Sequence, residues 1–204
     1  TFGGVTPMLM MTGAQFRPAP PPAFQSTAFN ADLAEIKALS VNRTEAQRAI
    51  ALYWNMGNGT PTPPGFWNQM TGQYIASAGL NERAATHAFA LASAAMFDAL
   101  IGCWEAKYFY WTMRPSQADP SITLTFGLPN HPSYPSGHSC QSAAAATVLA
   151  HLLPERGAEV QGYVVEGGLS RMYAGIHFRF DITAGQELGA AVGQWAIANQ
   201  GLLR

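Results

Sequence analysis

Charge is scarce in this sequence. Of its 204 residues, 11% are charged and 48% hydrophobic, whereas an ordinary soluble domain carries about 25% charged residues. Disordered chains are polar and highly charged, so disorder is excluded. Lysine is rarer still: Lys37 and Lys107 are the only two. With a formal net charge of −1 and no Lys/Arg cluster, the chain lacks the basic footprint of a nucleic-acid binder. Cysteine is limited to Cys103 and Cys140. That is too few for a disulfide framework, and both read as reduced, buried thiols in Ala-rich helices.

Long apolar runs are also missing, with one exception. A membrane-spanning helix needs about 20 mostly apolar residues, and Ala84 to Trp104 has the length. It contains His87 and Asp98, however, and much of it is alanine. A central Asp costs about 3 kcal/mol on insertion scales, so the segment reads as a buried core helix. There is no secretory signal. The chain opens on Thr rather than Met, which fits removal of an N-terminal segment, and the protein is expected to be secreted or periplasmic.

Strand-like alternation is absent, and helical signals fill the chain. Residues 1–29, with Pro18, Pro20, Pro21 and Pro22, read as an extended arm of the kind that packs across another domain or subunit. Residues 30–204 read as one helical domain. Leu33, Ile36 and Ala38, with Glu35 and Lys37, form a short amphipathic pattern. Thr44-Glu45-Ala46-Gln47 is a capping box for a helix to about Met56, and Pro61, Pro63 and Pro64 then break the chain. Further helices are expected over 66–78, from an Asn81 cap to about Met113, and over 137–153, 156–176 and 181–199. The expected architecture is an all-α bundle of six or seven helices.

Three segments carry chemistry. Lys107 sits among five aromatics, and Arg114 follows seven residues later. On a continuous helix the two cations share one face, although snorkelling side chains with solvated heads would produce the same pattern. Pro135-Ser136-Gly137-His138 precedes an apolar helix. There Gly permits close backbone approach, free N–H groups bind anions, Ser donates, and His exchanges protons. Finally, Ser170-Arg171 precedes His177 and Asp181. A carboxylate on one ring nitrogen of His177 fixes the tautomer and frees the other nitrogen as nucleophile or ligand, while Arg171 offers a permanent planar cation. A plain surface ion pair is the bland alternative. Together these residues are equipment for holding a tetrahedral or trigonal-bipyramidal oxyanion.

The three segments, Lys-x6-Arg-Pro (107 to 115), Pro-Ser-Gly-His (135 to 138) and Ser-Arg-x5-His-x3-Asp (170 to 181), resemble the signature shared by type 2 phosphatidic acid phosphatases, bacterial class A acid phosphatases and vanadium-dependent haloperoxidases. The resemblance implies the helical-bundle fold of that group. It makes His177 the phosphate-accepting nucleophile or the protein ligand of vanadate. His138 becomes the general acid or the partner of the axial oxygen, and Asp181 the residue that orients His177. Lys107, Arg114, Ser136, Gly137 and Arg171 would hold the equatorial oxygens. Ile176-His177-Phe178-Arg179-Phe180-Asp181 looks like the haloperoxidase form of the third segment. Trp104 matches a Trp of fungal chloroperoxidases, and His131 a His of algal bromoperoxidases. The segments Gly3-Gly4-Val5-Thr6-Pro7 and Gln15-Phe16-Arg17-Pro18 resemble mid-chain sequence of bacterial haloperoxidase-like proteins.

The implied activity is that of a vanadium haloperoxidase acting on hydrogen peroxide and halide with vanadate as cofactor. The alternative is a phosphomonoesterase that needs no cofactor. Family haloperoxidases carry a further helical half before this region. With so little charge for its exterior, the chain is expected to pair with a separate N-terminal half or to form a homo-oligomer.

Overall fold

A computed structural model describes residues 1–203, so the expected domain end at residue 204 lies outside the described residues. The helices are α1 (Thr27–Val41), α2 (Glu45–Tyr53), α3 (Thr62–Ser77), α4 (Glu82–Tyr110), the single turn α5 (Pro115–Ala118), α6 (Gly137–Leu152), α7 (Gly157–Tyr173) and α8 (Arg179–Ala198). Among the described residues there is no strand, and the fold is all-α.

Local chemistry sets most helix ends. Thr44 Oγ1 accepts from the Gln47 N–H at 3.2 Å while Gln47 Oε1 accepts from the Thr44 N–H at 2.9 Å, closing the capping box. Asn81 Oδ1 caps α4 through the Ala84 N–H at 3.0 Å. Gly79, at φ +60°, ends the preceding segment. Several boundaries differ from the sequence expectation, three of them for reasons the structure shows. Helix α1 begins inside the expected arm, because Ser26 Oγ accepts from the Phe29 N–H and caps it. The prolines near 61–64 start α3 rather than end α2, since Pro is tolerated in a first helical turn. Helix α4 stops at Tyr110, where Trp111 turns left-handed at φ 50°.

The centre of the bundle is α6, buried nearly all round, with α4 and α8 against it. Leu91, Ala95, Ala99 and Cys103 of α4 meet Cys140, Ala144 and Val148 of α6 and Leu188, Val192 and Ala196 of α8. Trp67, Met70 and Tyr74 of α3 close a second cluster against α6 and α7. The α6–α8 contact is backbone-close: a Cβ on Gly189 would stand 2.1 Å from the Cys140 carbonyl oxygen, and one on Gly185 would stand 2.7 Å from that of Ser136. Both cysteines are buried free thiols.

By length and composition α4 is apolar enough to cross a membrane. Its Asp98 is 1% exposed and accepts the N–H groups of Met8, Leu9 and Met10 at 2.7, 2.8 and 2.7 Å. The N-terminal arm is thereby clasped to its own chain. Arg17 pairs with Glu105, Tyr110 and Tyr134 donate to the carbonyls of Pro18 and Ala19, and Trp195 Nε1 donates to the Leu9 carbonyl.

Candidate active site

The three sequence segments come together where α6 and α8 begin. The Ser136 N–H donates to the Asp181 carbonyl at 2.9 Å, which ties the two helix starts to each other. Asp181 lies in the first turn of α8, and His177 lies just before that helix. His177 Nδ1 is 2.8 Å from Asp181 Oδ2, and both residues are buried. The same carboxylate oxygen accepts from the Phe178 N–H at 3.0 Å and from the Ser133 hydroxyl. Burial pushes the Asp181 carboxyl up to about 6 and holds the His177 imidazolium well below its usual range, with the charges of Arg114, Lys107 and Arg171 adding to the effect.

At Nε2, His177 faces Arg114 Nη1 at 2.9 Å. A guanidinium can only donate, so Nε2 carries the lone pair and Nδ1 the proton shared with Asp181. This is the tautomer of a nucleophile or a metal ligand. The pairing also differs from a surface ion pair, because neither partner is exposed.

Arg114 is 1% exposed and is not on the Lys107 helix, which ends before it; it caps α5 instead. It donates to the carbonyls of Ile176 at 2.8 Å and His131 at 3.1 Å, and to His131 Nδ1 at 3.1 Å. Burial lowers its pKa to about 10. Burial, with Lys107 and Arg114 nearby, lowers that of His131 to about 4.

Lys107 does not snorkel. It is wholly buried, and its ammonium donates to the carbonyls of Pro132 at 2.9 Å, Ser133 at 2.7 Å and Pro135. All three of its N–H groups thus fasten the loop leading into Ser136. Ser136 caps α6 by accepting from the Ser139 N–H at 3.4 Å, and its hydroxyl proton has no acceptor among the described residues. As the first residue of α6, Gly137 leaves its N–H outside the helix ladder. A Cβ there would meet the Trp104 ring at 3.1 Å.

Arg171, 1% exposed, is braced by Ser170 Oγ at 2.9 Å and the Ala51 carbonyl at 3.0 Å. Its Nη1 has no partner among the described residues. Burial and the Arg114 charge lower its pKa to about 9. His138 Nε2 lies 2.8 Å from the Trp54 carbonyl. A carbonyl only accepts, so Nε2 holds the proton and Nδ1 is free. Burial, then the Arg171 charge, holds the His138 imidazolium well below its usual range.

A cavity of about 840 Å³ is lined by Trp104, His131, Gly137, His138, Arg171 and His177. The Trp104 and His131 rings meet on its wall with centroids 5.1 Å apart, tilted by 44°. Lys107, Ser136, Arg114 and Asp181 sit behind this lining. The sequence reading missed Ser133, which bonds Asp181, and the Trp54 and Ala51 carbonyls, which hold His138 and Arg171. Backbone carbonyls leave no trace in residue type, and Ser133 lies outside the matched segments.

Residues 83–202 match the PAP2 superfamily, and the chain belongs to that superfamily. A 91-residue stretch is 37% identical to a non-specific acid phosphatase of Salmonella typhi, covering 42% of this chain and 36% of the phosphatase. The structure is similar to that of a bacterial vanadium-dependent iodoperoxidase, with a TM-score of 0.88 and 27% identity over 97% of this chain and 56% of the other. An apo-type bacterial vanadium-dependent chloroperoxidase shares the fold with a TM-score of 0.83 at 15% identity, over 99% of this chain and 56% of the other. The chain thus spans little more than half the length of these two structural relatives, and its match to the phosphatase covers about a third of that protein.

Proposed function

We propose that this chain carries the active site of a vanadium-dependent haloperoxidase, with vanadate as cofactor and hydrogen peroxide and a halide as substrates. The observation that carries the reading is the close structural similarity, through 97% of the chain, to a vanadium-dependent iodoperoxidase. The donor set fits an oxyanion. His177 would be the ligand through its unprotonated Nε2. Arg171, Arg114, the Gly137 N–H and the Ser136 hydroxyl would hold the surrounding oxygens, and Lys107 would join by exchanging one of its three carbonyls. Bound vanadate supplies a Lewis-acidic centre for peroxide activation.

The chain's own residues do the rest. Asp181 holds the His177 proton on Nδ1 and keeps the lone pair directed outward. Arg171 offers a free Nη1–H to negative oxygen. His138 is neutral beside unbalanced cations, and a bound anion in the cavity would raise its affinity for a proton at Nδ1. His138 therefore exchanges protons in the loaded site. Trp104 and His131 line the cavity through which the small substrates arrive.

The 37% identity to an acid phosphatase favours a second reading. In it, His177 Nε2 accepts the phosphoryl group and His138 protonates the leaving oxygen. One pair of assays separates the two readings: iodide or bromide oxidation after vanadate loading, and 4-nitrophenyl phosphate hydrolysis without it. Halide oxidation that requires vanadate and is lost in His177→Ala supports the first reading. Hydrolysis that vanadate inhibits supports the second. Full vanadate occupancy with no halide oxidation overturns the first.

A further inference from the structure

A second cavity, of about 700 Å³, adjoins the catalytic cleft. Pro129, Asn130 and His131 line both spaces. The second cavity reaches Arg114, the residue hydrogen-bonded to His177 Nε2. Its remaining walls include Tyr108, Trp111, Met113 and Leu128. Of the residues assigned to the oxyanion, Arg114 alone lines it.

Trp111 is the unusual member. It ends α4 in the left-handed region, at φ 50° and ψ 53°, where glycine is the unstrained choice. A bulky side chain there is a conformational outlier. Packing does not account for it, because the residue is 70% exposed. Its ring pairs with Tyr108, at 5.4 Å and tilted by 52°, and it also lines a smaller space shared with Phe24, Phe29, Phe178 and Phe180. The strained turn thus presents an indole face at a cavity beside Arg114. Next to it, the exposed Asn130 amide makes no hydrogen bond among the described residues and can bond a hydroxyl.

We infer that this cavity is a binding site for a phenol, whose ring packs on Trp111 and Tyr108 and whose hydroxyl bonds to Asn130 or His131. The inference rests on the proposed activity for its use, though not for its test. A phenol suits either reading, as the organic acceptor of oxidised halogen or as the leaving group of an aryl phosphate.

The test is titration of the full chain with 4-methylphenol, followed by isothermal calorimetry, in the wild type, Trp111→Gly, Trp111→Phe and Val165→Ala. Gly is at ease in the left-handed turn, so Trp111→Gly removes the ring without adding strain. Loss of one aromatic contact is expected to weaken binding about three- to tenfold, with Trp111→Phe restoring most of it. Val165→Ala should bind as the wild type does, because Val165 is exposed on α7 and lines neither cavity. No binding by the wild type, equal binding by Trp111→Gly, or loss of binding in Val165→Ala would each overturn the inference. Because the readout is binding alone, a chain that binds the phenol but neither oxidises halide nor cleaves phosphate would refute the activity and leave the site standing. An iodide-oxidation assay with and without 4-methylphenol distinguishes an acceptor from a leaving group.

Discussion

Arg114 and His177, 63 positions apart in sequence, meet through a single hydrogen bond of 2.9 Å at the imidazole nitrogen that carries the lone pair. The guanidinium therefore occupies that lone pair. Under the proposed function, an incoming oxyanion would take both the lone pair of His177 and a donor of Arg114, turning a contact between the two into a contact through the ligand.

Arg114→Met removes a positive charge from beside His177. That charge is the largest contributor after burial to the low imidazolium pKa. The His177 pKa is expected to rise while remaining below its ordinary value, because burial persists. Side-chain ¹⁵N NMR titration reads this directly, and an unchanged or lower value would contradict the arrangement.

His131 gives the pH dependence of stability a sign. Its pKa falls from 6.5 to about 4 on folding, through burial and the charges of Lys107 and Arg114. Between those values the unfolded chain binds the proton and the folded chain does not, so stability is lost as pH falls through this window. His138 and His177 act in the same direction. His131→Gln should therefore give a shallower decline between pH 6.5 and 4 in denaturant midpoints, with the slope reduced rather than abolished.

Asp98 accepts three consecutive N–H groups of the arm. Asp98→Ala strands them, at roughly 1–3 kcal/mol for each that water cannot reach. A lower melting temperature and faster proteolysis within residues 1–26 are expected together. A melting shift with an arm as resistant as before would show that the clasp does not hold the arm.

Gly189→Ala sets two effects against each other. Alanine gains up to about 1 kcal/mol in a helix interior, yet its Cβ would sit 2.1 Å from the Cys140 carbonyl oxygen. Overpacking of this kind costs typically about 1–3 kcal/mol or more, and here the obstacle is backbone, which cannot rotate away. Net destabilisation in chemical denaturation is expected, and a stabilised variant would mean that α6 and α8 part more easily than their contact implies.

The helical plan was legible where capping residues sit beside the ends they cap, as at Thr44 and Asn81, because those interactions span only three residues. The start of α1 was hidden by the surrounding prolines, which drew Ser26 and Thr27 into the arm. The residues of the candidate site were legible as three spaced segments, but their geometry was not. Lys107 and Arg114, seven apart, suggest one helix face, yet the left-handed Trp111 ends the helix between them. Ser133, Trp54 and Ala51 act through distant contacts, two of them through backbone carbonyls, and no local pattern marks such partners.

The buried ammonium of Lys107, fastened to three carbonyls of one loop, bears on kinetics. The loop is set in shape when the chain folds, so under the proposed function an arriving anion would meet a mould already cast and spend little of its affinity on ordering. Capture should then be governed by how fast the anion reaches the cavity, and residence time by how readily the lysine surrenders one carbonyl to it. A lysine that appears in the sequence as a solitary charge among aromatics would then act as a timer as well as an anchor.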